Sequence, residues 1–399
     1  MKVVYVVQRY GPQIVGGAEA ACRQFATRLA ARGVDVSVLT SATTDAVTWA
    51  NNLPTGPSAD EGVRVVRFPT VAPRAPGFDR LSDRVLSTID SDPALVDRWV
   101  RDQGPLVPAL IEEIRSTADR PDLWIFYTYL YYPTLVGLPL VAGRSVLHPA
   151  LHDEAQARLP IVRSVIRSAA GLYLHSPEEW ELVLRLMGWP PGRAGLVGLG
   201  VDEGKGDPDA FRSRVGLGDV PYLMYLGRVE DGKGTTDLAR MFAAFKGRHP
   251  GPLKLVIAGP VVQVPPPHDD VVVPGILGDD ERWGALEGAV AFVHPSPAES
   301  FGIVLLEAWT KAKPVLVNGA CTVTAGHARR SKGGLAYRDY ADFEAALEIL
   351  LGEPQTAATL GANGLAYASG LTWGSVMDRY QSFLEHVAEG SAGVSRRSP

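Results

Sequence analysis

The chain has 399 residues, which at roughly 150 residues per domain argues for two or three domains. With 46% hydrophobic and 21% charged residues it is neither a disordered nor a fibrous chain. A net charge of −5, from 39 Lys+Arg against 44 Asp+Glu, does not suit bulk-charge binding of nucleic acid, and two cysteines, Cys22 and Cys321, exclude a disulfide framework or cysteine metal cage.

Lys2–Val7 reads as a nearly continuous apolar strand, too short for a signal-peptide core. No run of about 18 apolar residues follows, so the expectation is a soluble, cytoplasmic protein without a transmembrane segment. A loop with Gly11, Pro12, Gly16 and Gly17 leads into a helix over 18–32 and a strand over 34–39. Loops at 41–62 and 69–82 flank a short strand, 63–68. A helical region over 94–116 is interrupted at Gly104-Pro105. Strand 123–128, helix 134–141, strand 145–147, helix 160–169, strand 172–175 and helix 178–187 complete the first half. The polar, Gly- and Asp-rich stretch 201–220 reads as a linker. Alternation restarts with strand 222–226, helix 235–245, strands 254–258 and 271–273, helix 280–287, strand 290–293, helix 302–311 and strand 314–317. Helices at 339–352 and 354–368 follow. The last helix carries Trp373, Val376, Met377, Tyr380, Phe383, Leu384 and Val387 on one stripe, and 390–399 reads as a disordered tail. Such alternation predicts two α/β halves, each a parallel sheet with helices on both faces.

The strongest chemical signal opens the second half. Strand 222–226 runs into Gly227-Arg228-Val229-Glu230-Asp231-Gly232-Lys233-Gly234 and then a helix. Glycines admit a phosphate close to the backbone, Arg and Lys supply charge, and the helix start adds N–H donors. The spacing nearly meets the P-loop pattern, but Gly234 stands where a magnesium-binding hydroxyl belongs, leaving it missing or displaced to Thr235. The reading is a phosphate grip rather than an NTPase, against the plainer alternative of a solvated basic turn.

The second signal is His294-Pro-Ser-Pro-Ala-Glu299-Ser300-Phe301-Gly302-Ile303-Val-Leu-Leu-Glu307. Glu299 and Glu307 are about two helical turns apart and point the same way if the helix begins before Glu299. An acid inside an apolar face needs a partner, either a ligand hydroxyl or a structural salt bridge. The amides of Ser300, Phe301 and Gly302 offer a second anion site. In the first half Gly16-Gly17-Ala18-Glu19 follows the first strand, where ligands of parallel sheets bind, but G-x-G-x-x-G is absent. Gly195-Leu-Val-Gly198-Leu-Gly200 leads into no clear helix and is a weaker signal. His148 and His152 lie at a strand end beside Asp153 and Glu154. A sugar contact, a base or a structural role all remain open for them, and without H-E-x-x-H no metal site is expected. Asp90-Ser91-Asp92 reads as helix capping before Pro93, Arg163 and Arg167 as a solvated face, and the cluster Tyr127, Tyr129, Tyr131 and Tyr132 as packing rather than sugar stacking.

In conjunction these motifs resemble the retaining GT-B glycosyltransferases of family four (glycosyl transferases group 1), as does Gly200-Val201-Asp202 at the end of the first half. The resemblance implies two Rossmann-like β/α/β domains facing across a cleft. Residues 1–200, with the returning helix 373–389, would form an acceptor-binding domain, and 221–372 a nucleotide-sugar-binding domain. It implies that Arg228 and Lys233 clamp the donor diphosphate, Glu299 binds the transferred sugar, and Glu307 binds the ribose. Ser300, Phe301, Gly302 and Ile303 would lie beside the sugar, Gly275 and Ile276 at the base, Gly16 and Gly17 near the phosphates, and His152 near the sugar. The partners implied are a nucleotide sugar and a small-molecule, saccharide or natural-product acceptor, with no cofactor and no metal. One departure is Asn318-Gly-Ala-Cys321-Thr-Val-Thr-Ala-Gly-His327, where the family commonly has a Gly-rich loop ending in Pro-Glu. There Cys321 or His327 become candidates to line the site.

The resulting expectation is a metal-independent, retaining transferase, with front-face and double displacement both open. Two fixed cations stabilise charge building on a leaving diphosphate. A same-fold epimerase or phosphorylase, and a non-catalytic nucleotide-sugar scaffold, are the alternatives.

Overall fold

The computed structural model describes residues 1–14, 16–88, 92–188, 193–196 and 198–395. They form two compact units, Met1–Gly198 with Val376–Pro399, and Leu199–Ser375.

In the first unit the chain runs β1 (Lys2–Val7), α1 (Gly17–Ala31), β2 (Asp35–Ser41), β3 (Gly56–Asp60), β4 (Val63–Phe68), α2 (Phe78–Leu86), α3 (Pro93–Gln103) and α4 (Pro108–Ser116). It continues through β5 (Leu123–Tyr127), α5 (Tyr132–Gly137), β6 (Ser145–His148), α6 (Pro160–Ser168), β7 (Gly171–Leu174), α7 (Pro177–Met187) and β8 (Arg193–Leu196). The sheet order is β3-β4-β2-β1-β5-β6-β7-β8, parallel except for β3 on β4. β1 is buried from Val3 to Val7 because β2 and β5 flank it and helices cover both faces, which is why its sequence is a continuous apolar run. The strand order reverses beside β1, so the loop after it opens at the sheet's carboxyl edge, where such folds bind ligands.

The second unit runs α8 (Pro208–Val215), β9 (Tyr222–Leu226), α9 (Thr235–Arg248), β10 (Lys254–Ala258), β11 (Val271–Gly275), α10 (Asp279–Gly288) and β12 (Ala291–His294). It continues through α11 (Ile303–Thr310), β13 (Val315–Asn318), α12 (Thr322–Ser331), β14 (Gly334–Tyr337), α13 (Tyr340–Gly352) and α14 (Pro354–Ser369). Its six parallel strands are ordered β11-β10-β9-β12-β13-β14, and the reversal falls beside β9. The final helix, α15 (Trp373–Ser395), begins in this unit, and from Val376 it belongs to the first. There the Tyr380 hydroxyl lies 2.9 Å from that of Tyr5 and 3.1 Å from His148 Nε2. His148 is stacked between Tyr127 and Tyr173, and burial pushes its pKa well down, so it sits neutral in the core.

Several expectations are corrected. The stretch 201–220 is not simply a linker: α8 lies in it, capped by Asp207 Oδ1 and anchored by buried Phe211 against Tyr222. α15 continues through Ser395, where a disordered tail was expected from Gly390. The loops 41–62 and 69–82 contain β3 and the start of α2. β3 is an edge strand, which is why it tolerates Pro57. β8, α12 and β14 escaped the sequence reading because two are four-residue edge strands containing glycine and α12 has no continuous apolar stripe.

α14 approaches α11 closely at Gly364, where a Cβ would overlap the Trp309 indole, whose Nε1 donates to the Gly333 carbonyl at 3.0 Å. Gly364→Ala should cost roughly 1–3 kcal/mol in urea unfolding. Gly352→Ala, with open space around it, should stay within about 0.5 kcal/mol.

Candidate functional site

The loop after β9 tightens into a single 3-10 turn, Asp231–Lys233. Gly234 closes it in the left-handed region at φ 73° before α9 begins. A Cβ there would also stand 2.6 Å from the Pro295 carbonyl oxygen. The absent P-loop hydroxyl therefore has a steric reason: only glycine fits. The displaced hydroxyl, Thr235 Oγ1, donates to the Glu230 carbonyl at 3.1 Å.

Lys233 Nζ reaches Glu299 Oε1 at 2.6 Å, with both side chains largely enclosed. His294 Nε2 lies 3.3 Å from the same oxygen. His294 is buried at the end of β12, with its ring near those of Tyr225 and Phe292 and its Nδ1 unpartnered among the described residues. Burial pushes the Glu299 carboxyl up, but His294 and Lys233 outweigh it and hold the carboxyl well below the usual range. Arg228 is exposed on the same loop, 3.2 Å from Glu230, and its carbonyl accepts from the Tyr225 hydroxyl at 2.8 Å. The Tyr225 phenol is raised first by burial and then by Glu299 and Glu230, with Arg228 opposing. Lys233 and Glu299 thus meet at the carboxyl ends of β9 and β12, while Arg228, on the same loop as Lys233, turns to Glu230.

Glu307 is placed differently from the expectation. α11 begins at Ile303, with Gly302 in the left-handed region at φ 78°, so Glu299 precedes the helix and the two-turn alignment of the acids does not arise. Buried Glu307 holds Arg282 Nη1 at 2.6 Å, while its Oε2 is unpartnered among the described residues. Burial raises its pKa, with Arg282 opposing. Among the described residues the amides of Ser300, Phe301, Gly302 and Ile303 have no acceptor. Gly275 ends β11 with its carbonyl accepting from the Gly259 amide at 2.8 Å, and Ile276 beyond it is exposed. Cys321 and His327, candidates to line the site, are buried, and the His327 ring packs edge-on to Phe301. His327 Nδ1 pairs with the Tyr367 hydroxyl at 3.0 Å, and burial, with Arg330 adding, lowers its pKa to about 3.

In the first unit, a Cβ on Gly16 would overlap the Glu19 carboxylate, whereas Gly17 has open space around it. Glu19 is buried and accepts from Arg9 Nε and Nη2 at 3.0 and 2.5 Å, so Gly16 is dictated by this pair. His152 sits half-buried after β6, and its ring makes no hydrogen bond or ion pair among the described residues. Tyr127 and Tyr129 are buried, the latter donating to Glu154. Asp90 and Ser91 lie outside the described residues, and Asp92 caps α3 by accepting from the Ala94 amide at 2.9 Å. Among the described residues no group of three or more His, Cys, Asp or Glu side chains is placed to hold a metal ion, and no helix is long and apolar enough to cross a membrane. Sequence reading gave no role to His294, Arg282 or Arg9. The signal for His294 was its place at a strand end five residues before Glu299; Arg282 and Arg9 had none.

Two family profiles match the chain: "Glycosyl transferases group 1" over residues 220–353, and "Glycosyl transferase 4-like domain" over 16–200. The chain belongs to the group 1 glycosyl transferases. It is similar to D-inositol 3-phosphate glycosyltransferase 2 of Catenulispora acidiphila, at 30% identity over 272 residues, covering 59% of this chain and 62% of that one. It is also similar to D-inositol 3-phosphate glycosyltransferase of Nocardia farcinica, at 26% identity across 96% of this chain and 89% of that one. Among solved structures, sucrose-phosphate synthase from Thermosynechococcus elongatus superposes with TM-score 0.70 at 19% identity, covering 97% and 99% of the two chains. Anabaena HepE in complex with UDP-glucose gives TM-score 0.67 at 17% identity, covering 98% and 100%. The fold of this glycosyltransferase is GT-B, built from two Rossmann-like sheets.

Because the folded-state pKa of Glu299 is lowered, the stability it contributes is complete above its ordinary value of 4.5 and is lost as pH falls towards the lowered one. Glu299→Gln should therefore lower the Tm of the glycosyltransferase above about pH 5 and flatten the fall in Tm between about pH 4.5 and 3. Parallel acid limbs in thermal scans of the two proteins would contradict the Lys233–Glu299–His294 geometry.

Proposed function

We propose that this glycosyltransferase moves a sugar from a nucleoside-diphosphate sugar to an acceptor hydroxyl, with retention of configuration and without a metal ion. The observation that carries the reading is the 2.6 Å contact between Lys233 and Glu299, with Arg228 on the same loop. It sets a phosphate-binding cation beside a carboxylate suited to sugar hydroxyls. Two HepE structures hold UDP or UDP-glucose within this fold, which supports a nucleotide donor.

In this reading Arg228 and Lys233 take the diphosphate and Glu299 takes the hydroxyls of the transferred sugar. Glu307, through its unpartnered Oε2, takes the ribose. The free amides of Ser300, Phe301, Gly302 and Ile303 add hydrogen bonds, and Gly275 with exposed Ile276 meets the base. The anomeric C–O bond breaks with its electron pair passing to the diphosphate, where charge grows. Fixed cations stabilise that charge more in the transition state than in the ground state. The new bond forms to the acceptor oxygen on the face the leaving group vacates, and the acceptor's proton passes to the departing phosphate. Because Arg228 and Lys233 supply the positive charge, this chemistry does not call on a divalent cation.

Purified protein incubated with UDP, GDP, ADP or dTDP sugars in EDTA should show a thermal shift and turnover with one nucleotide family. Lys233→Ala should reduce turnover by about 10²–10³-fold, Glu299→Ala should lose sugar selectivity, and His152→Ala tests the same reading from the first unit. NMR of the product should show the donor's anomeric configuration. Loss of turnover in EDTA, or an inverted anomer, would overturn those parts of the proposal.

A further inference from the structure

The two loops of the first unit that carried no readable sequence signal form a built platform around one arginine. Asn51 Nδ2 donates to the Thr70 carbonyl at 2.8 Å, and the Thr70 amide donates back to Asn51 Oδ1 at 2.9 Å. The Arg74 amide donates to the Thr48 carbonyl, and Trp49 Nε1 donates to that of Gln103. This framework sets the Arg74 guanidinium 4.8 Å from the Phe78 ring centroid and 5.4 Å from that of Trp49.

What the platform does not provide is a counter-charge. Arg74 Nη2 donates to the Gln103 carbonyl at 3.1 Å, while the remaining N–H groups of its fork, including buried Nε, have no acceptor among the described residues. Arg67 and Arg163 share a buried, unpartnered Nε without a carboxylate, but neither lies over an aromatic ring among the described residues, and other enclosed arginines are paired. Arg9, Arg23 and Arg282 each meet a carboxylate. Arg212 also lies over a ring without a carboxylate, but its fork reaches three carbonyls, those of Gly218, Val220 and Gly288. Asp45, near enough to influence Arg74, is turned onto the Val47 amide and Thr48 hydroxyl, and Asp79 makes no ion pair with it. Burial works against the Arg74 charge and lowers its pKa. Beside the platform Tyr131 packs edge-on to Trp49, and its hydroxyl has no hydrogen-bond partner among the described residues. A half-buried cation with unused parallel donors, held rigidly on aromatic faces, is the arrangement that recognises a planar or tetrahedral oxyanion.

We infer that Arg74 seats an anionic group, phosphate or carboxylate, of the acceptor, with the Tyr131 hydroxyl as a second donor. The inference rests on the reading of the first unit as the acceptor-binding half of a transferase. It restricts the acceptor class to anionic saccharides, polyols or lipid-linked phosphates, and makes Arg74 a specificity-determining residue.

The test titrates the full chain with inorganic phosphate, followed by ³¹P line broadening, and with glucuronate and glucose, followed by calorimetry. Wild type, Arg74→Met, Arg74→Lys and Lys233→Ala are compared after thermal scans establish that each is folded. Phosphate held at Lys233 contributes equally to wild type and to the Arg74 variants, so their difference reads the Arg74 site alone. The expected result is about tenfold or greater loss of phosphate or glucuronate affinity in Arg74→Met. Arg74→Lys should recover part of it, glucose should be unchanged, and the wild-type affinity should weaken with salt. A phosphate-only loss identifies a phosphoryl acceptor, and a glucuronate loss identifies a carboxylate. Anion affinity that is unchanged in Arg74→Met, or that disappears only in Lys233→Ala, overturns the inference. Failure of the transferase reading shows separately, as a wild-type chain that neither binds nor turns over any nucleotide sugar.

Discussion

The contact between Lys233 and Glu299 is the constraint that joins the strand-end loops of the second unit. It ties the loop after β9 to the loop after β12, two neighbouring strands whose carboxyl ends would otherwise be independent. The Pro295 carbonyl reinforces the junction, since it lies against Gly234 and accepts from Asn318 Nδ2 at 2.9 Å, bringing in the end of β13. An enclosed ion pair is worth keeping only when its geometry is good and further groups share the load. Here His294 shares it. Under the proposed function, a donor phosphate arriving at Lys233 competes with a fixed carboxylate rather than with water, and the carboxylate it displaces is left beside it for the sugar hydroxyls.

The first unit applies the same principle to Arg9 and Glu19. Its glycine serves the pair: Gly16 leaves room for the carboxylate, while Gly17 faces open space. Arg9 is further held by the Thr44 carbonyl at 2.7 Å, so its charge is settled within the fold. Arg74 is not settled in this way. Stacking on aromatic faces stabilises a cation without neutralising it, so the two arginines differ in what they can still offer to a ligand.

How much of this was legible in the sequence follows from how local each signal was. Buried strands such as β1 and β9 are read directly, because a strand covered on both faces must be apolar throughout. Lys233 and Glu299 are recognisable because each sits in a dense run of glycine, proline and charge. The reading that put Glu299 and Glu307 on one helix failed on a boundary, since Gly302 in a left-handed conformation delays the start of α11 to Ile303. The partners of the acids were invisible for another reason. Arg282 lies 25 residues from Glu307 in sequence and Lys233 lies 66 from Glu299, and nothing in a local pattern reports such pairings. The loops around Asn51, Thr70 and Arg74 were unreadable because side-chain to backbone hydrogen bonds, not periodicity, give them their shape.

The tyrosine chain at the heart of the first unit bears on how this protein is made. Tyr5 and Tyr380 lie 375 residues apart in sequence, yet their hydroxyls meet in one core beside His148. While the intervening residues are being synthesised, the face of the first sheet that α15 will cover stays uncovered. The second unit takes only the first turn of the final helix, Trp373–Ser375. The first unit draws its residues from both sides of the second in the sequence, so its core can be completed only once the residues of the second unit have been made.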